Sequence, residues 1–134
     1  MNTYNDTPYQ TFLEATPGAL DDKAGFSVAL DTAENSVKLA TGADDSIGIM
    51  KQKLQPGTIS DGAVNVRLLG KGGTVKAVAG GVIAKGARVK SASGGKVVAA
   101  SAGDRSIGIK LTQGSSADGD VIEILDIVEF IPSV

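Results

Sequence analysis

The chain has 134 residues, a formal net charge of −2 and 18 glycines, about twice the usual glycine share of roughly 7%. It contains no His and no Cys, which removes disulfides, zinc sites built on thiolate or imidazole, and nucleophilic catalysis of the Ser-His-Asp or Cys-His kind. Phe and Tyr together number five and Trp is absent, so a core must come from Val, Ile, Leu and Ala; lysines and arginines are scattered rather than clustered, and a nucleic-acid partner is not expected.

Residues 1–24 are polar, carry Pro8 and Pro17 and lack sustained alternation, yet they hold Tyr4, Tyr9 and Phe12, three of the five aromatics. This stretch reads as an extended N-terminal arm ahead of a β-rich body at 25–134. Tyr4, Pro8, Tyr9 and Phe12 are its candidates for contact with a partner chain, because aromatic rings supply large interface area. The start has neither the basic residues nor the apolar run of a secretory signal. No apolar run of about 18 residues occurs, so no membrane partner is expected.

From Gly25 onward, short apolar runs alternate with glycine- and serine-rich turns, the punctuation of β structure. Strands are expected at 26–30, 37–41, 47–53, 63–69, 73–79, 87–91, 96–100, 106–112 and 121–131. Val64, Val66 and Leu68 alternate with Asn65 and Arg67, a pattern that buries one face and wets the other. Ser91 to Lys96, with Gly94 and Gly95 inside, suits a hairpin because glycine accepts a positive φ. Val121 to Ile131 is apolar except at Glu123, Asp126 and Glu129, so that strand is central in a sheet or covered by a partner.

The chain also repeats itself. Val37–Ile49 (VKLATGADDSIGI) and Val97–Ile109 (VVAASAGDRSIGI) lie 60 positions apart and agree at seven of thirteen positions. Self-similarity at a fixed period marks a supersecondary unit used twice. The expected fold class is all-β, a small barrel or sandwich built from two related β units at approximately 25–69 and 80–130.

Several motifs suggest chemistry, and each has a plainer structural reading. Asp22-Lys23-Ala24 matches the turn on which lipoyl carriers attach their cofactor, but too little chain precedes it for half a lipoyl domain, so an exposed lysine between arm and body is expected. Gly70-Lys71-Gly72-Gly73-Thr74 is similar to a phosphate loop, but a strand rather than a helix follows, so the anion-holding helix N-terminus is missing. The turns at Asp44-Asp45 and Asp118-Gly119-Asp120 lack the oxygen-ligand spacing of a calcium site and are expected to be solvated. Asn5-Asp6-Thr7 fits a glycosylation sequon in a chain without a secretory signal. No carboxylates pair at a spacing that suggests acid–base work, so neither an enzyme nor a cofactor or metal site is expected.

Within Gly80 to Phe130, Gly80, Gly81, Ile83, Ala84, Gly86 and Val89 are followed by Gly95, Lys96, Val97 and Ala100, then by Ile107, Gly108, Ile109, Gly119, Asp120, Val121 and Ile124. In these residues the stretch resembles the capsid cement, or head decoration, proteins of tailed bacteriophages; Lys110 stands where that family more often has a small residue. It implies a non-enzymatic protein on the outer surface of the virion that clamps adjacent major capsid protein subunits. It also implies a symmetric homo-oligomer, a trimer or a dimer. The alternative is a receptor-binding or fibre-associated virion module that meets the host surface, and a third reading is a small cofactor-carrying β-domain modified at Lys23.

Overall fold

The structure, a computed structural model, describes residues 8–16, 18–53 and 63–132. Ten strands carry it: β1 (Tyr9–Glu14), β2 (Ser27–Leu30), β3 (Ser36–Leu39), β4 (Ser46–Lys53), β5 (Ala63–Leu68), β6 (Thr74–Val78), β7 (Arg88–Ser91), β8 (Val97–Ala99), β9 (Arg105–Lys110) and β10 (Val121–Phe130). No helix occurs among the described residues, and the all-β expectation holds. Strands β2 to β10 fall on the nine expected runs.

β1 is the correction. Residues 9–14, expected within an arm, form a strand that pairs antiparallel with β5, from Tyr9↔Arg67 to Leu13↔Ala63, and parallel with β3 at Leu13↔Ser36 and Glu14↔Val37. The run Tyr-Gln-Thr-Phe-Leu-Glu alternates, but only one of its side chains, Phe12, points into the core, at 6% exposure. One buried ring leaves too faint an apolar signature to read from sequence. Leu20, also in the expected arm, is 0% exposed.

Strand pairing divides the chain into two units of one design. β1 to β5 close into a barrel in the order β1-β3-β2-β4-β5, and β6 to β10 form a sheet in the order β6-β10-β9-β7-β8. Adding five to each strand number turns the pairings β3–β2, β2–β4, β4–β5 and β5–β1 of the first into the four pairings of the second, and only β1–β3 lacks a full counterpart. The registers agree as well: Val28 faces Gly48 and Val89 faces Gly108. Glu14↔Val37 joins β1 to β3, and the single parallel bridge Ala79↔Val97 joins the edges of the second sheet at the matching place. The repeat is therefore longer than the sequence echo. It runs over 9–68 and 74–130, not from residue 25.

The shared Ser-Ile-Gly-Ile has a packing cause. A Cβ on Gly48 would lie 2.5 Å from the Arg67 carbonyl oxygen and 2.6 Å from a Val66 methyl; on Gly108 it would lie 2.5 Å from the Leu125 oxygen and 3.0 Å from an Ile124 methyl. Only glycine lets the neighbouring strand approach this closely. Each unit then fills its interior with aliphatic side chains. Phe12, Leu20, Val28, Val37, Met50, Val64 and Val66 pack together in the first. Ile83, Val89, Val97, Ile107, Ile122 and Ile124 do so in the second, and they receive Ile49 from the first unit. Each such side chain contributes about 1.5–3 kcal/mol on burial.

Candidate functional site

The seam between the units is where charge, backbone insertion and open surface converge. Gly25 to Ser27, where a turn leads into β2, wedges between the edges of β6 and β8. The Val78 N–H donates to the Gly25 carbonyl at 2.9 Å, and the Ser27 N–H donates to the Gly95 carbonyl at 2.6 Å. The equivalent groups of the first unit bond to each other, Leu13 N–H to the Asn35 carbonyl at 2.8 Å. The second sheet is thus held open by one residue pair because the first unit fills the gap. Gly95 must be glycine there: its φ is +92° and a Cβ would lie 2.8 Å from the Ser27 oxygen.

A buried ion pair locks the same seam. Arg67 on β5 and Asp126 on β10 meet at 2.9 Å, with side chains 9% and 0% exposed. The Asp126 carboxylate also accepts the backbone N–H groups of Gly70 and Lys71 at 2.9 Å and of Gly72 at 3.1 Å. Arg67 donates further to the carbonyls of Leu68 and Gly72. The glycine-rich turn that is similar to a phosphate loop is an anion nest after all, and its anion is the chain's own carboxylate. Arg67, expected on a wet face, is 7% exposed. The sequence signals for this cluster were the glycine-rich turn and Asp126, the one of the three β10 carboxylates that is buried.

Beside the lock a groove of about 420 Å³ opens on the surface. Tyr9, Lys51, Lys76, Val121 and Glu123 line its rim over a floor that includes Ile49 and Val75. The Lys51 ammonium sits 5.3 Å from the centre of the Tyr9 ring. Tyr9 is 39% and Val121 63% exposed, so the groove offers an aromatic and an aliphatic surface between two lysines and a glutamate. Its exposed polar groups belong to Lys51, Lys76 and Glu123, and the buried Arg67 that also lines it is already held by Asp126, an arrangement suited to a polypeptide segment more than to a small metabolite.

The four candidate contact residues separate. Tyr9 reaches this groove. Pro8 is half-buried, and its carbonyl accepts the Leu68 N–H at 2.6 Å. Phe12 lies in the core and offers no surface. Tyr4 lies outside the described residues, as does the Asn5-Asp6-Thr7 sequon.

The remaining motifs have local duties. Lys23 is half-buried with its ammonium 5.0 Å from the Phe26 ring centre. Asp45 closes the β3–β4 turn, accepting the Thr41 and Gly42 N–H groups and the Thr41 hydroxyl. Partial desolvation is the largest single influence on its carboxyl and pushes it up. The hydrogen bonds from Thr41, Gly42 and its own N–H together outweigh that, and the group sits below the usual aspartate value. Asp104 does the same work in the β8–β9 turn. The Ser101 N–H at 2.8 Å, then Lys90 at 3.1 Å, hold its carboxyl below the usual value. Asp118 pairs with Lys96 at 2.9 Å. Lys110 is 1% exposed: its stem fills core space where the first unit has Met50, and its ammonium donates to the carbonyls of Thr112 and Gly114. No protein-family model matches this chain, and no curated protein matches it.

Proposed function

We propose that this chain is a capsid decoration protein that binds the outer surface of an icosahedral phage head and clamps adjacent major capsid protein subunits. The observation that carries the reading is the resemblance over Gly80–Phe130. Its positions are those that build the second unit: Ile83, Val89, Val97, Ile107 and Ile124 are core, and Gly95 and Gly108 admit close backbone approach. The same design appears a second time over 9–68. Two units, each with its own apolar core and joined by Ile49 and by the Arg67–Asp126 pair, suit a body under mechanical load. Repeated weak contacts on a lattice gain strength from multivalency.

The groove at Tyr9, Lys51 and Lys76 is the surface best suited to receive a segment of the coat protein. Tyr9 and Pro8 remain contact candidates under this reading and Phe12 does not. The assembly would be a homo-oligomer, a trimer or a dimer, on the exterior of the virion. Co-sedimentation with mature heads is the test. The expected result is saturable binding to expanded heads at roughly one chain per coat subunit, reduced by Tyr9→Ser combined with Lys51→Glu. Absence from heads at saturating protein would end the proposal, and binding to host cells without any head present would favour a receptor-binding module instead.

A further inference from the structure

The contact that joins the two units is heterologous: the first unit offers one surface and the second offers a different one. The first contributes the Gly25–Ser27 wedge and Ile49; the second contributes Val78, Gly94 and Gly95. Since the units share a register, each also carries its own copy of the surface it does not use here. On the second unit the copy is Gly86–Arg88 with Ile109. On the first it is Leu13, Glu34 and Asn35.

Both copies are uncovered. Ser27 is 0% and Ile49 1% exposed, whereas Arg88 is exposed and Ile109 is half-buried. Val78 is 8% exposed, whereas Leu13 is 38%, with Glu34 and Asn35 exposed beside it. Asn35 even keeps the left-handed backbone of its counterpart, φ +59° against +92° at Gly95. The charges of the copies also match. Where the internal contact sets Ser27 against Gly94–Gly95, the unused pair would set Arg88 against Glu34–Asn35. Arg88 contacts Glu129 within the chain, but its side chain stays 42% exposed and can take a second carboxylate.

We infer that a second copy of this chain docks head to tail by repeating, between chains, the contact that joins the units within one. The Gly86–Arg88 segment of one copy enters between Leu13 and Asn35 of the next, and Arg88 reaches Glu34. The Leu13 N–H to Asn35 carbonyl bond gives way to two bonds, one from Leu13 to the entering segment and one from that segment to Asn35, as at Val78 and Gly95. A heterologous contact of this kind either closes into a ring or continues as a chain of copies. The inference goes beyond the decoration role and applies to the purified protein without any capsid.

Sedimentation velocity on the full chain tests it. The wild type is expected to exceed monomer mass in a concentration-dependent way up to about 1 mM, the weak end of specific association. Glu34→Arg and Arg88→Glu should each weaken association at least about tenfold, by placing like charges together. The double variant should regain it, and an equimolar mixture of the two single variants should associate although each alone does not. Glu34 projects from an exposed turn, so Glu34→Arg reports on docking even if Arg88→Glu, which also loses Glu129, melts earlier. A wild type that stays monomeric, an assembly insensitive to Glu34→Arg, or a folded double variant that fails to reassemble would each overturn the inference.

Discussion

Single residues decide how closely the strands approach, and the two Ser-Ile-Gly-Ile segments give the sharpest case. Gly48 and Gly108 lie in ordinary strand conformations, so their role is steric and not a matter of φ. Gly108→Ala would drive a methyl group to 2.5 Å from the Leu125 carbonyl oxygen, which cannot swing away as a side-chain tip could. Overpacking of this kind costs about 1–3 kcal/mol, measurable as a lower urea midpoint with an unchanged m-value. Ala at Gly42, which meets nothing within 4 Å, serves as the control. The turn carboxylates Asp45 and Asp104 make a prediction in pH. Both sit below the usual aspartate value in the folded chain, so the folded state binds protons less readily than the unfolded one. Their stabilisation is present above the usual aspartate value of 3.8 and is lost as pH falls through the lower folded values. Asp45→Asn with Asp104→Asn should therefore flatten the decline of the urea midpoint below pH 3.8; parallel declines in the two proteins would contradict it.

Among the elements, the Arg67–Asp126 pair ties β5 to β10 and holds the turn between the units, and its two halves should not be equivalent. Removing either partner of a buried ion pair costs about 3–5 kcal/mol when the other charge is left uncompensated. Asp126→Ala leaves a buried guanidinium and three backbone N–H groups without their acceptor, so the full cost is expected. After Arg67→Met the carboxylate still holds those three N–H groups, so the loss should be smaller. Equal losses for the two variants in chemical denaturation would mean that the nest contributes little. Sequence signals reached this element only in part. The alternation that placed β5 correctly also assigned Arg67 to solvent, because a period of two says which residues share a face but not what covers that face. β1 went unread for a related reason. Its exposed face carries Tyr9, Thr11 and Leu13 and its inner face just one large apolar side chain, so burial in the barrel depends on β5 and β3, more than twenty residues away.

At the scale of the whole molecule, the duplication was legible from thirteen residues but its extent and the seam were not. The echo survives where both units need the same turn and the same glycine. It fades where one unit is covered and the other is exposed, as with Ser27 against Arg88 and Gly95 against Asn35. That divergence ties the two units into one cooperative body. The second sheet borrows Gly25–Ser27 to fill its open edge and Ile49 to fill its core, and the first unit borrows Asp126 to neutralise Arg67. Neither unit is complete alone, even though each has its own set of five strands. Thermal unfolding of the full chain should therefore be a single transition in which the calorimetric and van't Hoff enthalpies agree, the behaviour of one domain and not of two beads. Deletion of residues 1–20, which removes β1, Phe12 and Leu20, should abolish that transition altogether. Two resolved transitions in the intact chain, or a second unit that melts unchanged after the deletion, would show that the wedge and the ion pair do not couple the halves.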